Sequence, residues 1–104
     1  MASNEDPVGT YELSLLADAD LENIYEYSFS EFGFTRAEEY LEGIHHLFQQ
    51  LTLFPNEGIL RNDININVRS IPYESHIVFY SGSKKSILII RILHQSQNSS
   101  EYFK

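Results

Sequence analysis

The sequence predicts an α+β domain of order β-α-α-β-β-β, an antiparallel helix hairpin packed on a mostly antiparallel sheet. Three observations lead there. Apolar residues recur at helical spacing from Leu21 to Phe32 and again from Ala37 to Leu51. The link between these stretches is about two residues at Gly33, short enough to force an antiparallel return. After Asn67 the apolar period changes from 3.6 to 2. The 104 residues fit one domain, and 42% hydrophobic content with seven Tyr and seven Phe supplies a core without staples.

Met1 to Gly9 is polar, with Pro7 and Gly9, and reads as a flexible lead-in to a single domain over residues 10–104. Thr10 to Leu13 alternates weakly and predicts a short first strand. Ser14 is placed to cap the first helix, because its hydroxyl can accept a free N–H of the first turn. Asp18 and Asp20 then favour the positive end of the helix dipole. Leu21, Ile24, Tyr25, Ser28 and Phe32 form the stripe, and Gly33 is expected to end the helix in a left-handed C′ position.

In the second helix, Thr35 and Glu38 have capping-box spacing. Ala37, Tyr40, Leu41, Ile44, Leu47, Phe48 and Leu51 hold one face until Pro55. Pro55 to Asn67, punctuated by Gly58 and four Asn, reads as loop. Val68 to Tyr73, Ser75 to Tyr80 and Ser86 to His94 read as strands, with Ser81 to Lys85 as the last turn. Pro72 cannot donate to a ladder, so its strand should be an edge or end there. Ser86 to Leu93 is apolar on both faces and should be the central, buried strand.

Composition excludes several kinds of chemistry. Zero Cys removes disulfides, thiolate nucleophiles and thiolate metal sites. The longest apolar run, Ile87 to Ile90, is far below the roughly 18 residues of a membrane span. Met1 to Gly9 has neither the basic nor the apolar stretch of a signal peptide, so a soluble cytoplasmic protein is expected. The net charge of −8 argues against direct nucleic-acid or anionic-membrane binding. That charge is polarised: residues 12–42 hold nine acids and one base, Arg36, whereas residues 43–104 hold four acids and six bases. The acidic half is either a solvated helix face or a surface that steers a basic or amphipathic partner.

His45 and His46 are neighbours about 100° apart on a helix and cannot chelate one metal together. No acid stands at helical or hairpin spacing to complete a ligand set with any His, so no metal is expected. Arg91 interrupts an apolar strand, on one face with Ile87, Ile89 and Leu93 by strict alternation. A half-buried charge there needs a partner: either an acid of the hairpin or a bound anion or protein. Arg69 shares a strand face with Ile71 and Tyr73, and Arg61, in the Asn-rich loop, is expected to be exposed. Serine-hydrolase, P-loop and dinucleotide fingerprints are absent.

Six stretches in register resemble one family. Leu13 to Tyr25 is similar to the "L-x-x-x-A-x-x-D-L-x-x-I" opening of the ParE toxins, a branch of the RelE/ParE superfamily of type II toxin–antitoxin systems. Phe32-Gly33 with Ala37 to Leu41 resembles "W-G-x-x-x-A-x-x-Y-L", and Phe54 to Gly58 resembles "N-P-x-x-G". Val68 to Pro72, Ser75 to Tyr80 and Ile90 to His94 resemble "x-R-S-F-P", "x-H-x-I-F-Y" and "I-x-R-I-L-H". The likeness spans residues 10 to 103. Two features depart from it: Gln95 to Phe103 contains no base where relatives are Arg-rich, and the chain is acidic where relatives are often neutral to basic.

The resemblance implies a cofactor-free toxin that inhibits DNA gyrase by binding and is neutralised by a ParD-like antitoxin wrapped over helices and sheet. It directs attention to the sheet half for target binding, through Arg61, Arg69, Arg91, His94 and the tail from Gln95 to Phe103. Leu21, Ile24, Tyr25 and Tyr40, in the grooves flanking the hairpin, are the expected antitoxin seat. No catalytic residue is assigned. Two alternatives use the same residues: a RelE-like ribosome-dependent mRNA endonuclease built on Arg69, Arg91 and His94, and an attenuated relative that only binds antitoxin.

Overall fold

The computed structural model describes residues 9–83 and 85–103. The lead-in over residues 1–8 and the bases Lys84 and Lys104 lie outside the described residues. Strand β1 (Thr10–Leu13) leads into α1 (Leu15–Phe32) and α2 (Phe34–Leu53). Four strands follow: β2 (Ile59–Leu60), β3 (Arg69–Tyr73), β4 (His76–Ser83) and β5 (Ser86–His94). A 3-10 turn (Ser99–Tyr102) closes the chain. The sheet order is β1-β5-β4-β3-β2, antiparallel except for the parallel β1–β5 pair. This is the predicted α+β arrangement with one strand added.

Ser14 caps α1 as expected, accepting from Ala17 N at 3.0 Å while its own hydroxyl donates to Ile90 O at 2.8 Å. One side chain thus starts the helix and fastens it to the sheet. The joint between the helices is tighter than the sequence suggested. Gly33 alone ends α1, donating to Phe29 O, and begins α2, accepting from Ala37 N. Its φ of 91° and ψ of 176° are not the predicted left-handed helical C′ conformation. With Gly33 as N-cap, α2 starts at Phe34 and has no side-chain cap, so the Thr35–Glu38 capping box does not form. Glu38 instead accepts the Tyr25 hydroxyl across the hairpin.

The predicted α2 face is present: Ala37, Ile44, Phe48 and Leu51 are buried, with Tyr40, Leu41 and Leu47 packed around them. In α1 only Leu21 of the predicted stripe is buried, with Ala17 a turn before it, and Phe32 at its end stands exposed. The segment read as continuous loop contains β2, whose Ile59 and Leu60 pair with Ser70 and Arg69. Two residues are too few to show alternation, so this strand left no periodic signal. Because β2 stops there, Pro72 lies on an open edge, which reconciles a proline with a strand inside the sheet order.

Strand β5 is flanked on both sides, but β4 is the centre of the sheet, and Leu88 of β5 is exposed. Its alternation is broken by a bulge. Phe79 pairs with Arg91 and Tyr80 with Ile89, leaving Ile90 as the extra residue. Ile87, Ile89 and Ile92 therefore all face the helix-side core with Val78 and Tyr80. Leu93 joins Val68 and Phe79 in a second cluster on the opposite face, with Ile90 and Phe103 packed against it. Arg91 lies opposite Phe79, not on the face of Ile87 and Ile89 as strict alternation required. No helix among the described residues is long and apolar enough to cross a membrane.

Candidate functional site

β1 ends opposite Ile89, so the edge of β5 beyond it is open. The start of α1 fills the gap: Asp20 accepts Ile92 N–H at 3.0 Å, as a missing strand would. The same carboxylate takes Arg91 in a two-point fork, Nε at 2.8 Å and Nη2 at 2.9 Å. Both side chains are 14% exposed. Of the two sequence readings of Arg91, the ion pair to a hairpin acid is the one present. The fork holds the Arg91 guanidinium protonated more firmly than usual. Asp20 is a sheet ligand, not the dipole partner that its position suggested.

Arg61 is half-buried, contrary to expectation. It forks onto Asp63 at 3.0 Å through both Nε and Nη2, donates to Ser70 Oγ at 3.3 Å, and lies 5.4 Å from the Phe79 ring centre. The Asp63 carboxyl is held below its usual range by that hydrogen bond. Arg61 and Arg91 thus flank Phe79 on the face of the sheet away from the helices. The tail covers this face: Phe103 packs on Phe79 at 5.1 Å, and Tyr102 sits under the Arg91 guanidinium at 5.3 Å while its hydroxyl accepts from Gln97. Nothing in the apolar text of β4 and β5 marked Tyr102 and Phe103 as their cover.

Arg69 belongs elsewhere. It sits with Ile71 and Tyr73 on the helix side and donates to Gly58 O at 2.7 Å. Tyr80, its cross-strand neighbour, accepts Gly58 N–H at 2.9 Å and donates to Pro55 O at 2.8 Å. Together they pin the loop after α2. His94 is exposed at the end of β5. Its Nδ1 accepts Ser96 N–H at 3.1 Å, so the neutral ring carries its proton on Nε2. Its ring meets His76 edge-to-face at 5.4 Å, and His76 Nδ1 is 3.0 Å from the Tyr40 hydroxyl. Burial, and then the nearby His94, lower the His76 pKa against an opposing pull from Asp20. Burial also pushes the Tyr40 hydroxyl far up.

The four residues expected to seat an antitoxin divide between two grooves. Ile24 and Tyr40 line one that runs between the hairpin and the β3–β4 turn, with Phe32, Arg36 and His76. Ile24 and His76 carry it on to a cleft holding Asp20, Arg91 and His94. Leu21 and Tyr25 line the other, facing Leu41 and His45, on a part of the hairpin bordered by Asp18 and Glu22. No group of three or more metal-ligating side chains occurs among the described residues.

Comparison with known proteins places this arrangement. The model of the ParE toxin of the type II toxin–antitoxin system parDE matches residues 11–99. The chain is 33% identical over 89 residues to Toxin ParE1 of Caulobacter vibrioides, covering 86% of this chain and 92% of that protein. It is 30% identical over 86 residues to Toxin ParE1 of Mycobacterium tuberculosis, covering 82% and 88% respectively. A solved structure described as the chromosomal ParDE TA system from P. aeruginosa shares the fold, with a TM-score of 0.69 at 24% identity over 84% of this chain and 96% of that one. With the helix hairpin, the mixed sheet and the matched span all in agreement, the chain belongs to the ParE toxin family of type II toxin–antitoxin systems.

Proposed function

We propose that this ParE-family toxin inhibits DNA gyrase in the cytoplasm by binding it, without cofactor, and is held inactive by a ParD-like antitoxin. The observation that carries the reading is the family match over residues 11–99, joined to the state of the three arginines. Arg61 and Arg91 each fork onto a carboxylate, and Arg69 holds a backbone carbonyl on the opposite face of the sheet. A nuclease centre needs a base, an acid and a free cation converging on one phosphate. Arginines spent in three separate places suit a docking surface better. The target-contacting region is then the sheet face where Arg61 and Arg91 flank Phe79, with the tail across it and His94 at the far end of β5, and Arg69 acts from behind by holding the Pro55–Gly58 loop. Leu21, Tyr25, Ile24 and Tyr40 receive the antitoxin along the two grooves.

The test is a supercoiling assay with purified gyrase, beside pulse labelling of DNA and protein synthesis after induction without antitoxin. Supercoiling should fall as the toxin approaches the gyrase concentration, and DNA synthesis should stop while translation continues. Translation stopping first, with cleaved mRNA, would replace this reading with the RelE-like endonuclease. Folded protein with neither effect would leave a relative that only binds antitoxin, the outcome that the base-free tail Gln95–Phe103 favours.

A further inference from the structure

The two grooves differ in charge. The one through Ile24, Tyr40 and His76 is mixed, with Arg36 opposite Glu39 and Glu74, and its extension contains the closed Asp20–Arg91 pair. The other is bordered by acids and contains neither Lys nor Arg, with His45 of α2, whose Nδ1 meets the Tyr11 hydroxyl, as its one imidazole. Asp18 and Glu22 stand one turn apart on α1, and Glu38 and Glu42 one turn apart on α2. Leu21, Tyr25 and Leu41 line the cavity beside the α1 acids, and Leu41 and His45 carry it on to a second along α2 that holds Glu38, Glu42 and Phe34, the last 61% exposed. Neither described ion pair, Arg61–Asp63 or Arg91–Asp20, uses a groove acid. Glu38 accepts the Tyr25 hydroxyl, which draws the two ridges together.

We infer that the segment seated in this groove is a basic amphipathic helix, with apolar anchors for Leu21, Tyr25 and Leu41 and Lys or Arg on both flanks. The inference rests on the antitoxin reading above and adds the chemistry of the partner. An apolar stripe at i, i+3, i+4 and i+7 fits such a floor. Acids with no Lys or Arg among them repel an acidic helix and attract a basic one. Rim charges in water are each modest, but four of one sign lie within about one Debye length of a seated helix at physiological salt. The polarised sequence, acidic in the hairpin and slightly basic in the sheet half, is thereby a device for choosing a basic partner.

The test uses two synthetic helical peptides with identical Leu anchors, one flanked by Lys and one by Glu, titrated against the full chain. The Lys peptide should bind at least about ten-fold more tightly in 50 mM than in 300 mM salt, and the Glu peptide should not bind. The D18N/E22Q/E38Q/E42Q variant, whose amides keep the shape of each side chain, should lose about ten-fold or more of that affinity while melting as the parent does. Equal binding of both peptides, or binding unchanged in the variant, overturns the inference. Neutralisation by the antitoxin separates this failure from that of the functional reading. An antitoxin that protects cells equally from parent and variant toxin removes the charge rule alone. A toxin that no ParD-like protein binds removes the antitoxin reading, and the peptides then decide the groove by themselves.

Discussion

Replacing Asp20 with Ala should be the most damaging single change to a charged residue in the described structure. The carboxylate makes three hydrogen bonds, two to Arg91 and one to Ile92 N–H, with 14% of its side chain exposed. Its loss strands a guanidinium and a strand N–H where no other acceptor replaces it. Removing one partner of a fully buried pair costs about 3–5 kcal/mol, and a site slightly open to water sits near about 2–4 kcal/mol. For a domain of this size that lowers the melting temperature by about 10 °C or more. Arg91→Ala should cost less, about 1–2 kcal/mol, because Asp20 keeps Ile92 N–H. Asp63→Ala, which breaks a fork whose acid is 60% exposed, should cost the least of the three. Thermal and urea melts of the three variants give the order directly. If Asp20→Ala melts no lower than Asp63→Ala, the carboxylate is not holding the open edge of β5 and the argument fails.

Other expectations follow from contacts of the same kind. Gly43→Ala would ordinarily stabilise a helix by about 1 kcal/mol, but here the new methyl meets the Tyr73 hydroxyl at 2.0 Å. A loss of about 1–3 kcal/mol is expected, relieved in the Gly43→Ala/Tyr73→Phe double variant; a more stable single variant would contradict the packing. Tyr80→Phe should cost about 1–3 kcal/mol, because Gly58 N–H and Pro55 O lose their shared hydroxyl, and amide exchange at Gly58 should report it. His76 is held below its ordinary pKa, so the unfolded chain binds its proton first. Its contribution is complete above about pH 6.5 and is lost as pH falls through the folded value; His76→Gln should flatten the urea midpoint between pH 7.5 and 5. Arg91→Ala should reduce toxicity more than Arg36→Ala, whose guanidinium only covers the exposed Phe32 ring. Equal toxicity of two folded variants would remove Arg91 from the target surface.

Local signals in the sequence identified what local physics decides. Ser14 read as a cap because its hydroxyl serves N–H groups within one turn, and the α2 stripe read correctly because seven apolar positions agree on one face. What failed were competitions between local and distant partners. Thr35 and Glu38 had capping-box spacing, but the single-residue joint at Gly33 moved the helix start two residues earlier and Tyr25 claimed Glu38. Asp20 looked like a dipole partner because nothing in the sequence reveals that β1 stops short and leaves Ile92 unpaired. The bulge at Ile90 had one sign in the sequence, Arg91, a charge that strict alternation put on the apolar face of Ile87 and Ile89 and that the extra residue turns to the other face. Among the candidate residues, the residue types were legible and their partners were not. Arg91 announced a need for a partner, and only the fold chose an acid of the hairpin, one of the nine in residues 12–42, to meet it.

The parallel pairing of β1 has a consequence for how the chain is assembled in time. Thr10 hydrogen-bonds to Lys85 O, 75 positions away, so the earliest strand waits for the last. Closing so long a loop adds little to the equilibrium cost but delays the step, since nearer contacts form first. β5 also touches β4, α1 and α2, so it is the piece on which the others converge. A nascent copy cut short before Ser86 would lack the partner of both β1 and β4, and would keep only contacts such as Tyr40 with Tyr73 and His76 between the hairpin and the β2–β4 meander. The sheet therefore closes only once β5 has been made, and the first strand of the chain is among the last to find its place.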